Sequence, residues 1–207
     1  APWQSATATQ PFIVTATPRA DQTITFVDIA DKLVNSSSFD LNATASSGLP
    51  VSFTSLHPGV ATVESNGTVT IVGAGVATMR ATQDGNGSYN PAPSVEKTLT
   101  VTKVAQTVTF AALSDASLNT GTYSLSGKAT ASSGLAVSYA TSDASVASLS
   151  GTTLTLHQGG SVTITASQGG NDTYLAAADV TQSLTVKDDR YIDQNISWSQ
   201  TLSSMTF

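Results

Sequence analysis

Cysteine is absent from the 207 residues of this chain. Disulfide bonds and cysteine-ligated metal sites are therefore excluded, and core packing alone must hold each domain together. This absence does not argue against an extracellular location, because it is mainly the smallest secreted domains that depend on disulfides.

Charged residues are also scarce, at 11% of the chain against about 25% in an average soluble protein. Only eight residues are Lys or Arg, and the net charge is −6. Nucleic acid is bound by clustered basic side chains, so the composition argues against it as a partner. No apolar run approaches the roughly 20 residues of a membrane-spanning helix, so we expect no membrane insertion in this segment.

What the chain does contain is a tandem duplication of a unit of about 85 residues. The phrase "ATASSGL" begins at Ala43 and again at Ala129. Likewise, "QTITF" at Gln22 is matched by "QTVTF" at Gln106. The offset between matched phrases stays at 84 to 86 residues, which indicates that the same fold is built twice.

Within each unit, apolar residues alternate with threonine and serine, as in "TVTI" from Thr68 and "TLTL" from Thr153. This period of two is typical of half-buried antiparallel strands, and no stretch has the apolar spacing of a helix. The alternation predicts strands near 22–26, 39–46, 51–55, 60–64, 68–72, 75–83 and 94–102, and near 106–110, 125–132, 137–141, 146–150, 153–157, 161–168 and 179–187. Seven short strands per unit predict an all-β fold of two tandem immunoglobulin-like β-sandwiches, with partial flanking strands.

The repeat divides the chain into four predicted segments. Residues 22–104 and 105–187 are immunoglobulin-like domains 1 and 2. Residues 1–21 are interpreted as the last strand of a preceding repeat or an N-terminal extension, and residues 188–207 as a linker and the first strand of a following repeat. We therefore expect the chain to be a window of a longer array. The linker at 102–105 is short, which predicts two domains standing nearly end to end.

Three phrases of the first unit occur together in a known family: "VATV" from Val60, "NGTVT" from Asn66 and "GVATM" from Gly75. With them the chain resembles the bacterial immunoglobulin-like family, most closely its group 2 type. The second unit resembles it less closely, since Ser150 and Gly151 replace the Asn-Gly turn. The resemblance implies a sandwich fold and a role as spacer, stalk or adhesive module, as in the tandem copies of invasin-like and intimin-like surface adhesins.

No catalytic constellation is apparent in the sequence. The only two histidines, His57 and His157, occupy non-equivalent positions in the repeat and lack converging partners. Asp28, Asp31 and Asp40 could pair as acids, but their counterparts in the second unit are Ala, Asp and Ser. We therefore expect no enzyme activity, no catalytic residue and no cofactor.

One loop keeps polar residues in both units: "QDGNGSYN" from Gln83 and "QGGNDTYL" from Gln168. Its oxygens could bind Ca²⁺ and its tyrosine rings could stack on a glycan. The candidate residues are Asp84, Asn86, Asn171 and Asp172 for a metal, and Tyr89 and Tyr174 for a ligand. The alternative is a structural loop, in which glycine supplies a positive φ and tyrosine folds back as a lid on the core. Calcium loops carry more carboxylates, which favours the structural alternative.

These observations lead to a main functional hypothesis: a non-catalytic extracellular protein of the cell surface, acting as a stalk, adhesin shaft or fibre subunit. The alternatives are a module that binds carbohydrate or a host receptor through its loops, and accessory domains of a secreted enzyme.

Segments 10–16 and 194–207 carry apolar faces without a sandwich of their own. As unpaired strands they are predicted to add to another copy, giving head-to-tail self-association and a filament.

Overall fold

A computed structural model of the chain describes residues 17–190, and its regular secondary structure is almost entirely short strands. The chain divides into two compact units, with the division between Thr102 and Lys103. Each unit is an immunoglobulin-like β-sandwich, so the predicted fold class of two tandem sandwiches is confirmed. The described residues contain no helix long and apolar enough to cross a membrane.

The two units contain matching sets of nine strands. Unit 1 has β1 (Ile24–Phe26), β2 (Lys32–Leu33), β3 (Phe39–Asp40), β4 (Ala43–Ala45), β5 (Ser52–Ser55), β6 (Ala61–Val63), β7 (Thr68–Ile71), β8 (Gly75–Thr82) and β9 (Val95–Thr102). Unit 2 has β10 (Val108–Phe110), β11 (Ala116–Ser117), β12 (Thr122–Ser124), β13 (Ala129–Ala131), β14 (Ser138–Thr141), β15 (Ala147–Ser150), β16 (Thr153–Leu156), β17 (Gly160–Ser167) and β18 (Val180–Lys187). A 3-10 helix, Leu118–Thr120, follows β11.

In unit 1 one sheet has the strand order β2-β9-β8-β5, and the other layer is built from β3-β7-β6 and the pair β1-β4. Only Leu41 and Asn42 separate β3 from β4, so these strands are two halves of one broken strand. The first strand is split in the same way, because β1 pairs with β4 whereas β2 pairs in parallel with β9 of the opposite sheet. Counting each broken strand once gives the predicted seven, and unit 2 repeats the arrangement strand for strand.

The structure differs from the predicted strands at several positions. The predicted strand 125–132 is wrong in part, since β12 ends at Ser124 and a turn with Gly127 at φ 70° precedes β13. The two-residue strands β2 and β11 were not predicted, because two residues are too few to show alternation. Val104 pairs with Tyr174, so it lies with unit 2, whereas the sequence placed the boundary after residue 104.

Each unit has its own hydrophobic core, formed by the inward positions of both layers. Fully buried side chains come from both layers of each unit: Val69, Met79 and Leu99 in unit 1, and Leu125, Leu154, Val162, Ile164 and Leu184 in unit 2. The duplication extends to an aromatic pair, with ring centroids 5.6 Å apart between Phe26 and Phe53 and between Phe110 and Tyr139. Each sandwich therefore has its own packed centre and needs no disulfide.

Replacing a core leucine tests this packing. Leu156→Ala removes a side chain that is 6% exposed and should destabilise unit 2 by about 2–5 kcal/mol. Leu175→Ala, in the same unit but 49% exposed, is the matched control and should change the stability by less than about 0.5 kcal/mol. Urea unfolding followed by the amide NMR signals of unit 2 measures both, and equal effects would contradict the assigned core.

Candidate functional site

The conserved polar loop of the sequence repeat connects β8 to β9 in unit 1 and β17 to β18 in unit 2. Asp84, Asn86 and Tyr89 lie in the first loop, and the other candidate residues lie in the second. In each unit the loop packs beside the turn after β4 or β13 and beside the segment through which the chain enters the unit. The candidate residues are thus brought together as one small set per unit.

A buried glutamine organises this region of unit 1. Gln22, only 4% exposed, donates from Nε2 to Oε1 of Gln83 and to the carbonyl of Asn90, both at 2.7 Å. Its own Oε1 accepts a hydrogen bond from the Ser47 hydroxyl. Glutamine is rarely buried, and a buried amide is costly unless its hydrogen bonds are made, so every member of this network is needed.

Unit 2 repeats the network residue for residue. Gln106, 8% exposed, donates to Oε1 of Gln168 at 2.6 Å and to the carbonyl of Leu175 at 2.7 Å, and it accepts from the Ser133 hydroxyl. We call each network a glutamine clasp. The two clasps are Gln22, Ser47, Gln83 and Asn90 in unit 1, and Gln106, Ser133, Gln168 and Leu175 in unit 2.

The asparagine of each loop is used inside the loop. Oδ1 of Asn86 accepts hydrogen bonds from the backbone N–H groups of Ser88 at 2.8 Å and Tyr89 at 3.0 Å. In the loop of unit 2, Oδ1 of Asn171 accepts the equivalent bonds from the N–H groups of Thr173 and Tyr174. This is the turn that asparagine forms with its own backbone, and it shapes the loop. Two of the four proposed metal ligands therefore already have a structural role.

The tyrosines act through their backbones rather than as lids. Tyr89 forms a parallel bridge with Ala20, and Tyr174 forms the same bridge with Val104. Neither ring is among the side chains packed against the two cores, so the sequence-based expectation of a lid is wrong. The bridge instead fixes the segment through which the chain enters each unit.

The glycine kept in both loops is required by its surroundings. Gly85 has φ 75°, and a Cβ added to it would lie 2.4 Å from the carbonyl oxygen of Tyr89. Gly170 has φ 76° and the same 2.4 Å approach to Tyr174. A side chain at either position would clash with backbone in a conformation that L-residues rarely adopt.

The repeated "ATASSGL" phrase belongs to the same region. Ala45 is buried opposite Ile24, the hydroxyl of Ser46 accepts from the N–H of Thr23 at 3.0 Å, and Ser47 completes the clasp. The phrase therefore fixes the first strand to the turn after β4. The sequence contains one indication of this contact, because a glutamine precedes the first strand of both units. It was not interpreted as such, because glutamine is not a residue type expected in a core.

The described residues contain no group of three or more His, Cys, Asp or Glu side chains that could hold a metal ion. Asp84 and Asp172 are exposed, and Ca²⁺ or glycan binding by these loops stays a prediction. Each histidine ring forms a hydrogen bond with a strand residue. Nδ1 of His57 accepts from the N–H of Thr78 at 3.1 Å, and Nε2 of His157 lies 2.8 Å from the Ser148 hydroxyl.

The shifted ionisable groups are stabilised in their charged forms. A hydrogen bond from the Ser117 hydroxyl lowers the pKa of Asp189, and bonds within its own turn lower the pKa of Asp143. The hydrogen bond and charge of Asp115 raise the pKa of Lys187. General acid–base catalysis needs a pKa moved toward neutrality, and these shifts run the opposite way.

A shallow cleft of about 170 Å³ lies beside the broken first strand of unit 1. It is lined by Val27, Asp28, Ile29, Ala30, Lys32, Phe39, Asp40, Leu41 and Asn42. The ammonium of Lys32 lies 4.7 Å from the centroid of the Phe39 ring, and Asp40 accepts from the Thr68 hydroxyl at 2.7 Å. Each of these two polar groups thus has a partner of its own, Lys32 the Phe39 ring and Asp40 the Thr68 hydroxyl.

The loop glycines give a matched test of the structural role. Gly85→Ala should destabilise unit 1 by at least about 1–2 kcal/mol, the cost of a left-handed conformation alone. Gly87→Ala, in the same loop with no atom within 4 Å of the new Cβ, should be close to neutral. Thermal unfolding of both variants measures the difference. Similar melting temperatures for the two would contradict the close backbone contact and positive φ assigned to Gly85.

Residues 40–85 match the family model of the intimin immunoglobulin-like domain. No curated protein matches the chain significantly. Among solved structures, the chain is similar to Drosophila N-cadherin EC1-4, with 15% identity, a TM-score of 0.35 and coverage of 80% of this chain and 50% of that one. It is also similar to surface layer protein SbsC, domains 1-6, with 19% identity, a TM-score of 0.34 and coverage of 83% and 28%.

Human protocadherin-24 EC1-2 matches with 12% identity and a TM-score of 0.34, covering 80% of this chain and 98% of that one. The chain thus spans half or less of the cadherin and surface-layer structures named first. Similarities of this size carry no information about ligands or partners. The family-model match, in contrast, confirms for residues 40–85 the similarity to bacterial immunoglobulin-like domains that the motifs of the first unit predict.

Proposed function

We propose that this chain is part of a non-catalytic extracellular protein, in which the two sandwiches serve as spacer units of a surface stalk, adhesin shaft or fibre. The observation that carries this proposal is the path of the chain through each unit. A spacer must be entered at one end and left at the other, because only then does each repeat add its own length to the array.

In unit 1 the entering chain pairs at Ala20 with Tyr89, before the last strand begins, and the leaving chain pairs at Thr102 with Leu33, where that strand ends. The last strand, β9, has eight residues and is about 26 Å long at roughly 3.3 Å per residue. Entry and exit are therefore at opposite ends of β9. Unit 2 has the same path along β18.

The chain between the units offers little freedom. Thr102 accepts a hydrogen bond at its carbonyl from Val34 in unit 1, and Val104 is bonded to Thr173 and Leu175 in unit 2. Only Lys103 lies between, and its Nζ donates to the carbonyl of Asn171 at 2.7 Å. A one-residue linker supports a stiff array over a flexible tether.

The terminal segments 10–16 and 194–207, for which head-to-tail self-association is predicted, lie outside the described residues. One observation supports the role of the second segment as a strand. In "QNISW" from Gln194, the residue types match those of the first strand, where Gln22, Ile24 and Phe26 are buried at alternate positions. This sequence pattern supports the proposal of head-to-tail self-association through the segment.

A glycan or host receptor is the alternative partner, and accessory domains of a secreted enzyme are the alternative context. The glutamine of each loop is used in the clasp and the asparagine is used by the backbone of its own loop. Of the candidate residues, this leaves Asp84, Asp172 and the two tyrosine rings for a ligand. A glycan array probed with the full chain separates the alternatives, since specific binding would favour an adhesive module over a spacer.

The absence of cysteine allows a direct test of stiffness. Spin labels on Thr25→Cys and Thr109→Cys, exposed and equivalent positions of β1 and β10, should give a narrow distance distribution if the one-residue linker restricts the two units. The control carries eight Gly and Ser residues inserted between Thr102 and Lys103 and should give a broad distribution. Wild-type and control distributions of equal width would contradict the proposal.

A further inference from the structure

Unit 1 contains two Asn-Gly pairs, Asn66-Gly67 between β6 and β7 and Asn86-Gly87 in the loop between β8 and β9. Such a pair can modify itself, because the peptide nitrogen of the glycine can attack the side-chain amide of the asparagine and glycine has no Cβ to obstruct the attack. The reaction then depends on how the fold holds the nitrogen and the amide. The two pairs differ in both respects.

The attacking nitrogen is free at the second pair. Within residues 17–190 the N–H of Gly87 has no hydrogen-bond partner, and no atom lies within 4 Å of the position that a Cβ would take. The N–H of Gly67, in contrast, donates to the carbonyl of Glu64 at 2.9 Å, and Gly67 is buried with its Cβ position 3.1 Å from the Phe53 ring. The nitrogen must lose its proton to attack, and the bond to Glu64 holds that proton in place.

The amide under attack is also better prepared at the second pair. Oδ1 of Asn86 accepts from the backbone N–H groups of Ser88 at 2.8 Å and Tyr89 at 3.0 Å. Negative charge develops on this oxygen when the nitrogen attacks Cγ, and two N–H donors directed at it stabilise that charge, as in an oxyanion hole. Among the described residues, Oδ1 of Asn66 has one such donor, the N–H of Thr68 at 3.0 Å.

Unit 2 has the same amide geometry without the glycine. Oδ1 of Asn171 accepts from the N–H groups of Thr173 at 2.8 Å and Tyr174 at 2.9 Å. The next residue, however, is Asp172, whose side chain obstructs the attack. The loop of unit 2 is therefore a natural control for the loop of unit 1.

We infer that Asn86 is a self-modification site, at which the folded loop of unit 1 converts asparagine to aspartate and isoaspartate with water as the co-reactant. The Gly87 nitrogen bonds to Cγ of Asn86, the bond from Cγ to Nδ2 breaks, and ammonia leaves with the proton of the peptide nitrogen. The product is a cyclic imide. Water opens the ring at Cγ to give aspartate, or at the main-chain carbonyl carbon to give isoaspartate, whose backbone runs through Cβ and Cγ.

The two products change the loop in different ways. Both add a negative charge to the loop that contains Asp84. Aspartate keeps an oxygen that accepts the two turn bonds, whereas isoaspartate lengthens the backbone inside the turn that the N–H of Asn86 closes on the carbonyl of Tyr89 at 3.0 Å. Isoaspartate should therefore loosen the pairing of Tyr89 with Ala20, which holds the chain entering unit 1. This inference is independent of the proposed spacer role.

Incubation of the full chain in water enriched in heavy oxygen, followed by mass spectrometry of its peptides, measures the reaction at each asparagine. Only carboxylates formed during the incubation carry the label. In the folded chain Asn86 should convert about tenfold faster than Asn66 and Asn171, equivalent to a barrier lower by about 1.4 kcal/mol. In urea that unfolds both units, Asn66 should react as fast as Asn86, since the fold no longer protects the Gly67 nitrogen.

Two variants complete the test. Gly87→Ala, which is expected to be close to neutral for stability, should slow the reaction at Asn86 about tenfold. Asp172→Gly, in the exposed part of the other loop, is the matched gain variant and should bring Asn171 to the rate of Asn86.

The inference is overturned if Asn66 reacts as fast as Asn86 in the folded chain, or if Asn86 reacts in urea but not in the folded chain. It is also overturned if Gly87→Ala leaves the rate at Asn86 unchanged, or if Asp172→Gly leaves Asn171 as slow as before.

Discussion

The arrangement of each sandwich depends on one buried side chain, Gln22 in unit 1 and Gln106 in unit 2. Its amide reaches three parts of the chain that are distant in sequence: the first strand, the turn after β4 or β13, and the loop before the last strand. A buried amide is tolerated only when its donors and acceptor are matched, so the clasp fixes the relative position of all three. The entering segment is held there, and with it the path of the chain through the unit.

The repeated phrases of the sequence follow from this constraint. "ATASSGL" supplies the serine that completes the clasp. In the loop before the last strand, the glutamine is the acceptor of the clasp, the glycine allows a close approach of the backbone, and the asparagine forms the turn. Two of the four predicted metal ligands, Asn86 and Asn171, thus serve the fold. The same clasp places entry and exit at opposite ends of the last strand, which is the basis of the proposed spacer role.

Much of the fold could be predicted because alternating apolar and hydroxyl residues report directly on a half-buried sheet. β7, β8 and their repeats lie within one residue of the predicted strands. The parallel contacts of β2 and β11 could not be predicted, since two-residue strands leave no period. The clasp was missed because a single glutamine gives no pattern, and its meaning depends on Ser47 and Gln83, which only the folded chain brings together.

A double-mutant cycle between Gln22 and Gln83 measures the clasp most directly. Each single substitution to alanine leaves the other amide without one of its hydrogen bonds, whereas the double variant removes both amides. The double variant should therefore be less destabilised than the sum of the single variants by about 1–3 kcal/mol. Additivity within about 0.5 kcal/mol, as expected for residues that share no contact, would show that the two amides do not act together and would contradict the account.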